Sequence, residues 1–395
     1  MKTLASALFL ALLPATLSWA AKEAASPQVL DLTATDGIKI KASYFSAGKP
    51  GAGVLLLHQC DHDRKIWDGL AQQLAAAGIN VMTMDLRGYG DSGDKPHGPV
   101  GAGPIEPPEE MQKWPGDIDL AFQYLKSRPE VKPDQIGVGG GSCGVDNAVQ
   151  TAIRHPEVQS LVLLAGSTDL KGRQFLRQSK LPVFFAVADD DQYPPMVDVT
   201  EFLYTISASP GKTFAHYQTG HHAAEIFAVH PDLPQAIVSW YITTLVKTPG
   251  RAPAPANAPE IPARIHAMAM LEQPGGPAEL QKTLSASRQK DPKAPFVPEL
   301  IMEWFAYEQL QGGNTSQALE ILLLNATAYP DSPNVYDSLG DAYLAAGQKD
   351  LALKNTRKAL ELIPSDTVDP PSRRDAIKAS AEERLKKLEG KANSN

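Results

Sequence analysis

The stretch Ile136-Gly-Val-Gly-Gly-Gly-Ser-Cys-Gly-Val-Asp-Asn-Ala148 constrains the chain more than any other. An apolar, strand-like lead-in runs into glycines, then Ser142, then a helix-compatible run through Val149 and Ala152. Gly140-Gly141-Ser142-Cys143-Gly144 reads G-x-S-x-G. A serine held at a sharp strand-to-helix turn occupies a strained backbone conformation with its hydroxyl exposed. The residues two before and two after it crowd each other and must be small; both are glycine here. The helix that follows directs its free N–H groups and positive end at the place where an oxyanion would form. Alone, the pattern is that of a glycine-rich turn. It acquires chemical meaning if an acid and a histidine follow at suitable places.

The flanking sequence predicts the frame. Gln28 to Phe45 alternates like a hairpin turning at Asp36-Gly37. Val54 to Leu57 is a continuous apolar run, expected of a strand buried on both faces. Ile66 to Ala77 has helical spacing and stops at Gly78. Further strand-like runs are Asn80–Met84, Ile136–Val138, Leu161–Leu164, Val183–Val187 and Thr213–Tyr217, with helical stretches among them. Strands alternating with helices predict an α/β fold with a doubly wound, mostly parallel sheet.

These motifs, in this order, resemble the α/β-hydrolase family, in particular its dienelactone-hydrolase-like branch, from about Val29 to Val246. Val54-Leu-Leu-Leu-His58 is similar to the family's central strand ending at the oxyanion loop. Met84-Asp-Leu-Arg-Gly-Tyr-Gly-Asp-Ser92 is similar to its D-x-R-G-x-G-x-S turn. Pro182-Val-Phe-Phe-Ala-Val-Ala-Asp-Asp-Asp191 resembles the strand that delivers the acid, and Tyr217-Gln-Thr-Gly-His-His222 the histidine loop. The order Ser…Asp…His is the one this fold uses.

The resemblance implies roles. Ser142 would be the nucleophile. Asp189, Asp190 and Asp191 are all candidate acids; the family's G-x-x-D pattern maps onto Ala188-Asp-Asp-Asp191, with Pro195 at the later proline, and favours Asp191. His222 aligns best as the base, His221 being the second choice. Ala223 stands where the family has glycine, and the oxyanion loop reads His58-Gln59-Cys60 in place of H-G-x. The backbone N–H groups of Cys60 and Cys143 would hold the oxyanion. His58 is expected to pack beneath that loop. No metal or other cofactor is implied, since the histidines match no known ligand spacing. The short connection from Leu164 to Val183 leaves no room for an inserted cap and implies an open pocket. The Pro- and Gly-rich segment from Ser92 to Trp114 is either a partial cover or a solvated excursion. Trp67, Tyr89, Trp114 and Tyr193 either line the pocket or pack in the interior.

Cys60 and Cys143 are the chain's two cysteines, and both fall beside the predicted oxyanion site. They read either as small buried thiols or as a disulfide. An oxidising compartment is expected. Lys2, the apolar Leu4 to Leu13 and Ser18-Trp19-Ala20 form a secretory signal-peptide pattern cut after Ala20, which implies a secreted or periplasmic protein. No other stretch is long and apolar enough to span a bilayer. A net charge of −8 argues against nucleic acid and anionic membrane surfaces as partners.

The chain of 395 residues divides by composition. Residues 1–20 are the signal peptide and 21–247 the hydrolase-like domain; 248–262 form a Pro/Ala-rich linker and 263–395 a helical domain. That last part is an all-α region with a tetratricopeptide-like period. Gly313 and Gly347, Ala318 and Ala352, Leu319 and Leu353, and Pro330 and Pro364 are each 34 apart. The units cover about 299–332 and 333–366, with Ala376–Leu388 as a capping helix. Two units are few, so Ala278–Arg288 or the hydrolase-like domain is expected to cover one end. The whole reads as a serine hydrolase of small-molecule carboxylic esters acting through an acyl-enzyme. Two other readings stay open: a peptidase or amidase with the same triad, and an interaction protein that binds a protein partner through its repeats on a degenerate hydrolase scaffold.

Overall fold

The computed structural model describes residues 26–93, 109–193, 195–254, 259–291, 294 and 296–390. The signal-peptide segment and most of the Ser92–Trp114 loop lie outside the described residues.

Eight strands form one sheet: β1 (Gln28–Thr33), β2 (Lys39–Phe45), β3 (Gly51–Leu57), β4 (Asn80–Met84), β5 (Val131–Gly141), β6 (Val158–Leu164), β7 (Val183–Ala188) and β8 (Lys212–Tyr217). Their order is β1-β2-β4-β3-β5-β6-β7-β8. The β1–β2 hairpin turns at Asp36-Gly37, and β2 runs antiparallel to β4. From β4 to β8 every neighbouring pair is parallel. The helices of this part are α1 (Asp68–Ala76), α2 (Trp114–Ser127), α3 (Cys143–Arg154), α4 (Leu170–Gln178), α5 (Met196–Ile206), α6 (Ile226–Val229) and α7 (Asp232–Tyr241).

The apolar run in β3 shows why the sheet is covered twice. Successive strand side chains point to opposite faces. Val54 and Leu56 join Leu70 and Leu74 of α1 and Ile237 and Tyr241 of α7. Leu55 and Leu57 join Ile118 and Phe122 of α2, Val145 of α3 and Phe202 of α5. A strand that must be apolar at every position needs helices on both sides. This is the α/β-hydrolase fold. The strand order reverses between β3 and β5, the place where open α/β sheets bind ligands at their carboxyl ends.

The helical region comprises α8 (Ala263–Leu271), α9 (Gly276–Lys290), α10 (Glu299–Gln311), α11 (Thr315–Ala328), α12 (Pro333–Ala345), α13 (Lys349–Leu362) and α14 (Pro371–Gly390). Helices α10 and α12 begin 34 residues apart, as do α11 and α13. The Tyr307 hydroxyl donates to Asp341 Oδ2, 34 positions on, at 2.9 Å. Gly340 admits a close approach: a Cβ there would lie 2.6 Å from an Arg384 nitrogen and 2.9 Å from Thr356 Oγ1. Arg384, on α14, closes the end by pairing with Asp337 and Asp341.

The proline-rich stretch does not leave the two parts independent. Ile265, Met268 and Phe305 belong to the same apolar cluster as the inner faces of α2, α3 and α5. Phe202 and Phe305 pack with ring centroids 5.1 Å apart and planes tilted by 46°. Beside Phe305 lies Arg173 of α4, fully buried. It pairs with Glu272 at 2.7 Å and with Glu308, donates to Thr168 O at 2.7 Å, and lies over the rings of Trp304 and Phe305. Burial pushes the Glu308 carboxyl above its ordinary range, and the Arg173 charge opposes this. Removing one member of such a cluster leaves buried charges without a partner. Arg173→Met should therefore cost about 3–5 kcal/mol of stability in urea unfolding, and an unchanged midpoint would show that the cluster does not hold the parts together.

Candidate active site

Strand β5 delivers Ser142 into a sharp turn. Its φ is 55° and its ψ −122°, a left-handed conformation that a residue with a Cβ adopts only under constraint. The constraint is steric closure. A Cβ on Gly140 would lie 1.9 Å from Gly144 O, and one on Gly144 would lie 2.3 Å from Leu57 O. The two glycines thus let the turn fold on itself and seat the start of α3 against the end of β3. Ser142 is half-buried.

That contact brings the two cysteines together. Cys60 and Cys143 form a disulfide with Cα atoms 5.8 Å apart, closing a separation of 83 residues. Neither backbone N–H has a hydrogen-bond partner among the described residues. The Cys143 N–H opens helix α3, where free donors and the positive dipole end coincide.

The three candidate acids are separated by their pairings. Asp189, Asp190 and Asp191 each meet a different histidine. Asp189 Oδ1 lies 2.6 Å from His216 Nε2, with both side chains well exposed. Asp190 Oδ1 accepts the His221 backbone N–H at 2.8 Å, and its other oxygen lies 3.6 Å from the His221 ring. Asp191 Oδ2 lies 2.7 Å from His222 Nδ1, with side chains only 1% and 2% exposed. Only the last pair is shielded from water, where a charge-assisted hydrogen bond is strongest. A carboxylate can only accept, so in the neutral imidazole Nδ1 is the nitrogen that carries the proton and Nε2 is the acceptor. The Asp191 carboxylate also accepts the Tyr193 N–H at 2.8 Å. The His221 side chain is 63% exposed and turned to Asp190. The Ser142 hydroxyl makes no hydrogen bond among the described residues.

The departures at Gln59 and Ala223 fall on loops that are tied to each other. Gln59 Oε1 accepts the Ala224 N–H at 3.1 Å, tying the loop after β3 to the histidine loop. Ala223 has a φ of 50°, the conformation in which glycine is unstrained. A Cβ on Gly141 would lie 3.2 Å from the Ala223 Cβ, so the two loops close over the serine turn. His58 is buried beneath: the Leu86 N–H donates to its Nε2 at 2.9 Å, and its Nδ1 lies 2.7 Å from Gln59 O. Burial pushes its pKa down. The Asp85-x-Arg87-Gly88-x-Gly90-x-Ser92 turn is a brace. Asp85 accepts the N–H groups of Arg64 and Asp91, and Arg87 pairs with Asp36 and Asp117.

Of the four aromatic candidates, Trp67, Tyr89 and Trp114 are buried and Tyr193 is 44% exposed. Composition did not single out Glu225. Its Oε2 accepts the His222 N–H at 3.0 Å, a capping box whose acid three residues on was legible as spacing. Among the described residues, one group has ligand atoms close enough to hold a cation: Asp61, His62 and Glu225, within 4.8 Å of one another. His62 Nδ1 already lies 3.0 Å from Asp61 Oδ1. A groove of about 640 Å³, bordered by Leu70, His221 and Phe227, lies behind the histidine loop and is not lined by Ser142, Asp191 or His222.

Residues 48–179 match the hydrolase family described as serine aminopeptidase, S33. The chain is 29% identical over 137 residues to an uncharacterized protein of Mycobacterium tuberculosis, found in two strains, and spans 44% of its length. Among solved structures, an esterase of Pyrococcus furiosus is 18% identical, with a TM-score of 0.45, over 55% of this chain and 92% of that one. A dienelactone hydrolase of Anabaena variabilis is 19% identical, with a TM-score of 0.43, over 56% of this chain and all of that one.

With both cysteines in one bridge, the denatured, unreduced protein should show no free thiol, and two after reduction. Two thiols before reduction would refute the pairing. Closing a loop this long should contribute about 4 kcal/mol in the chain-entropy account, lost when the bridge is reduced.

Proposed function

We propose that this protein is a serine hydrolase that cleaves carboxylic esters of small molecules through an acyl-enzyme. The observation that carries the reading is the water-shielded Asp191–His222 pair, at 2.7 Å, at the same sheet edge as a strained serine. In the proposed reaction, His222 Nε2 takes the Ser142 proton as Oγ attacks the ester carbonyl. Asp191 holds the tautomer and stabilises the imidazolium. The Cys60 and Cys143 N–H groups hold the oxyanion, and the disulfide between them limits how far the donors can separate. His222 then gives its proton to the departing alcohol oxygen. Water, deprotonated by His222 in turn, releases the acid and restores Ser142. The missing Ser142 hydrogen bond is compatible with this, since such contacts are often long in unliganded sites and tighten with substrate.

An ester is the minimal substrate for this machinery, because an alkoxide leaves more readily than an amide nitrogen. The match of residues 48–179 to the serine aminopeptidase family favours a second reading, cleavage of an amide bond by the same residues. Ester and amide pairs built on one acyl group separate the two. We place the protein outside the cytoplasm, a reading supported by the signal-peptide pattern and by the disulfide. The 34-residue spacing of helix starts supports a tetratricopeptide-like repeat region, whose protein partner would be a separate matter.

Ser142→Ala should keep the fold by circular dichroism and lower turnover of a p-nitrophenyl ester by at least about three orders of magnitude. A fluorophosphonate probe should label the unmodified protein at Ser142 and leave the variant unlabelled. Absence of labelling in the unmodified protein would favour a non-catalytic scaffold.

A further inference from the structure

Tyr193 is the one exposed aromatic ring at the site among the four candidates. Its ring packs against His222, with centroids 4.6 Å apart and planes at 64°. Its backbone N–H donates to Asp191 Oδ1 at 2.8 Å. Its hydroxyl donates to Asp61 Oδ2 at 3.4 Å, next to Cys60. The residue therefore reaches from the acid loop, past the base, to the oxyanion loop.

The chemistry says which part of a substrate lies there. In acyl transfer by a serine and a histidine, the base returns its proton to the leaving oxygen. The alcohol portion must then lie against the imidazole. A ring packed on that imidazole stands on the alcohol side of the scissile bond. A large apolar surface left in water at a cleft, and fixed from both ends, is suited to contact with a ligand. Around it, Asp61 and Glu225 supply carboxylates, so a negatively charged alcohol would be repelled.

We propose that Tyr193 is a specificity-determining residue: it forms the wall of the leaving-group site and selects esters of uncharged aromatic alcohols. This rests on the assignment of Ser142 and His222 above. Stacked or edge-to-face aromatic pairs contribute modestly beyond buried area, enough for about a 2- to 10-fold preference.

The test compares phenyl acetate with ethyl acetate. Both give the same acetyl-enzyme, so deacylation is shared and a difference between them arises before it. In Tyr193→Ala, the phenyl-to-ethyl ratio of kcat/KM should fall about 2- to 10-fold relative to the unmodified protein, through a raised KM for the phenyl ester. Tyr193→Phe, which keeps the ring and loses the Asp61 contact, should retain the ratio. An unchanged ratio in Tyr193→Ala overturns the proposal, whether or not both activities drop together. So does an equal fall in Tyr193→Phe, which would make the hydroxyl bridge the cause. Fluorophosphonate labelling of Ser142 runs in parallel. If the unmodified protein is not labelled, the serine assignment itself fails; if it is labelled and the ratio does not move, the aromatic wall alone fails.

Discussion

The closure of the turn at Ser142 is the constraint on which the rest of the site depends. A φ of 55° at a non-glycine residue persists only where surrounding structure holds it. Here Gly140 and Gly144 interlock, Gly144 sits on the end of β3, and a disulfide joins the next loop to the first residue of α3. Each of these acts on the same few ångströms of backbone. Together they join the loop that carries the Cys60 N–H to the start of α3, which carries that of Cys143, and neither N–H has a hydrogen-bond partner among the described residues. Electrostatic stabilisation of a developing oxyanion is useful only when the donors do not have to reorganise, and covalent closure between the loops that carry them limits that reorganisation.

The histidine side of the cleft is assembled differently, by hydrogen bonds between loops. Three consecutive aspartates follow β7, and geometry gives each its own partner: His216, His221 and His222. Only the Asp191–His222 pair is withdrawn from water. Ala224 is held by Gln59, and His222 by Glu225. Gln59, where the resembled family has glycine, thus holds the histidine loop through the backbone of the residue after Ala223.

The helical region is joined to the hydrolase fold by a shared apolar cluster and by Arg173. Arg173 also holds Thr168 O, at the start of the segment leading into α4. Asp146, on the first turn of α3, accepts the Thr168 hydroxyl at 2.7 Å. Burial raises the Asp146 carboxyl above its ordinary range, and the Thr168 bond opposes that. A connected set of polar contacts therefore runs from the helical region to α3, the helix that follows Ser142. Arg173 is its fully buried member, and its removal would leave Glu308 without its ion-pair partner.

The sequence by itself determined the sheet, the serine turn and the repeat spacing. These are written in local signals: apolar runs, the two glycines around Ser142, and a 34-residue period. A strand buried on both faces and a turn that tolerates only glycine leave few alternatives. The proposed acid and base were legible as a short set of candidates, because neighbouring aspartates and histidines are the same residue types and differ only in where their loops point. Tertiary structure decided which of them pair, since Asp191 follows β7 and His222 follows β8, and the two meet because those strands lie side by side. It also decided that Cys60 meets Cys143, that Tyr193 is exposed beside His222, and that a proline-rich stretch joins two parts with a common core. Such contacts are long-range, and no local pattern specifies a partner that arrives from 31 residues away, as His222 does for Asp191, or from 83, as Cys143 does for Cys60.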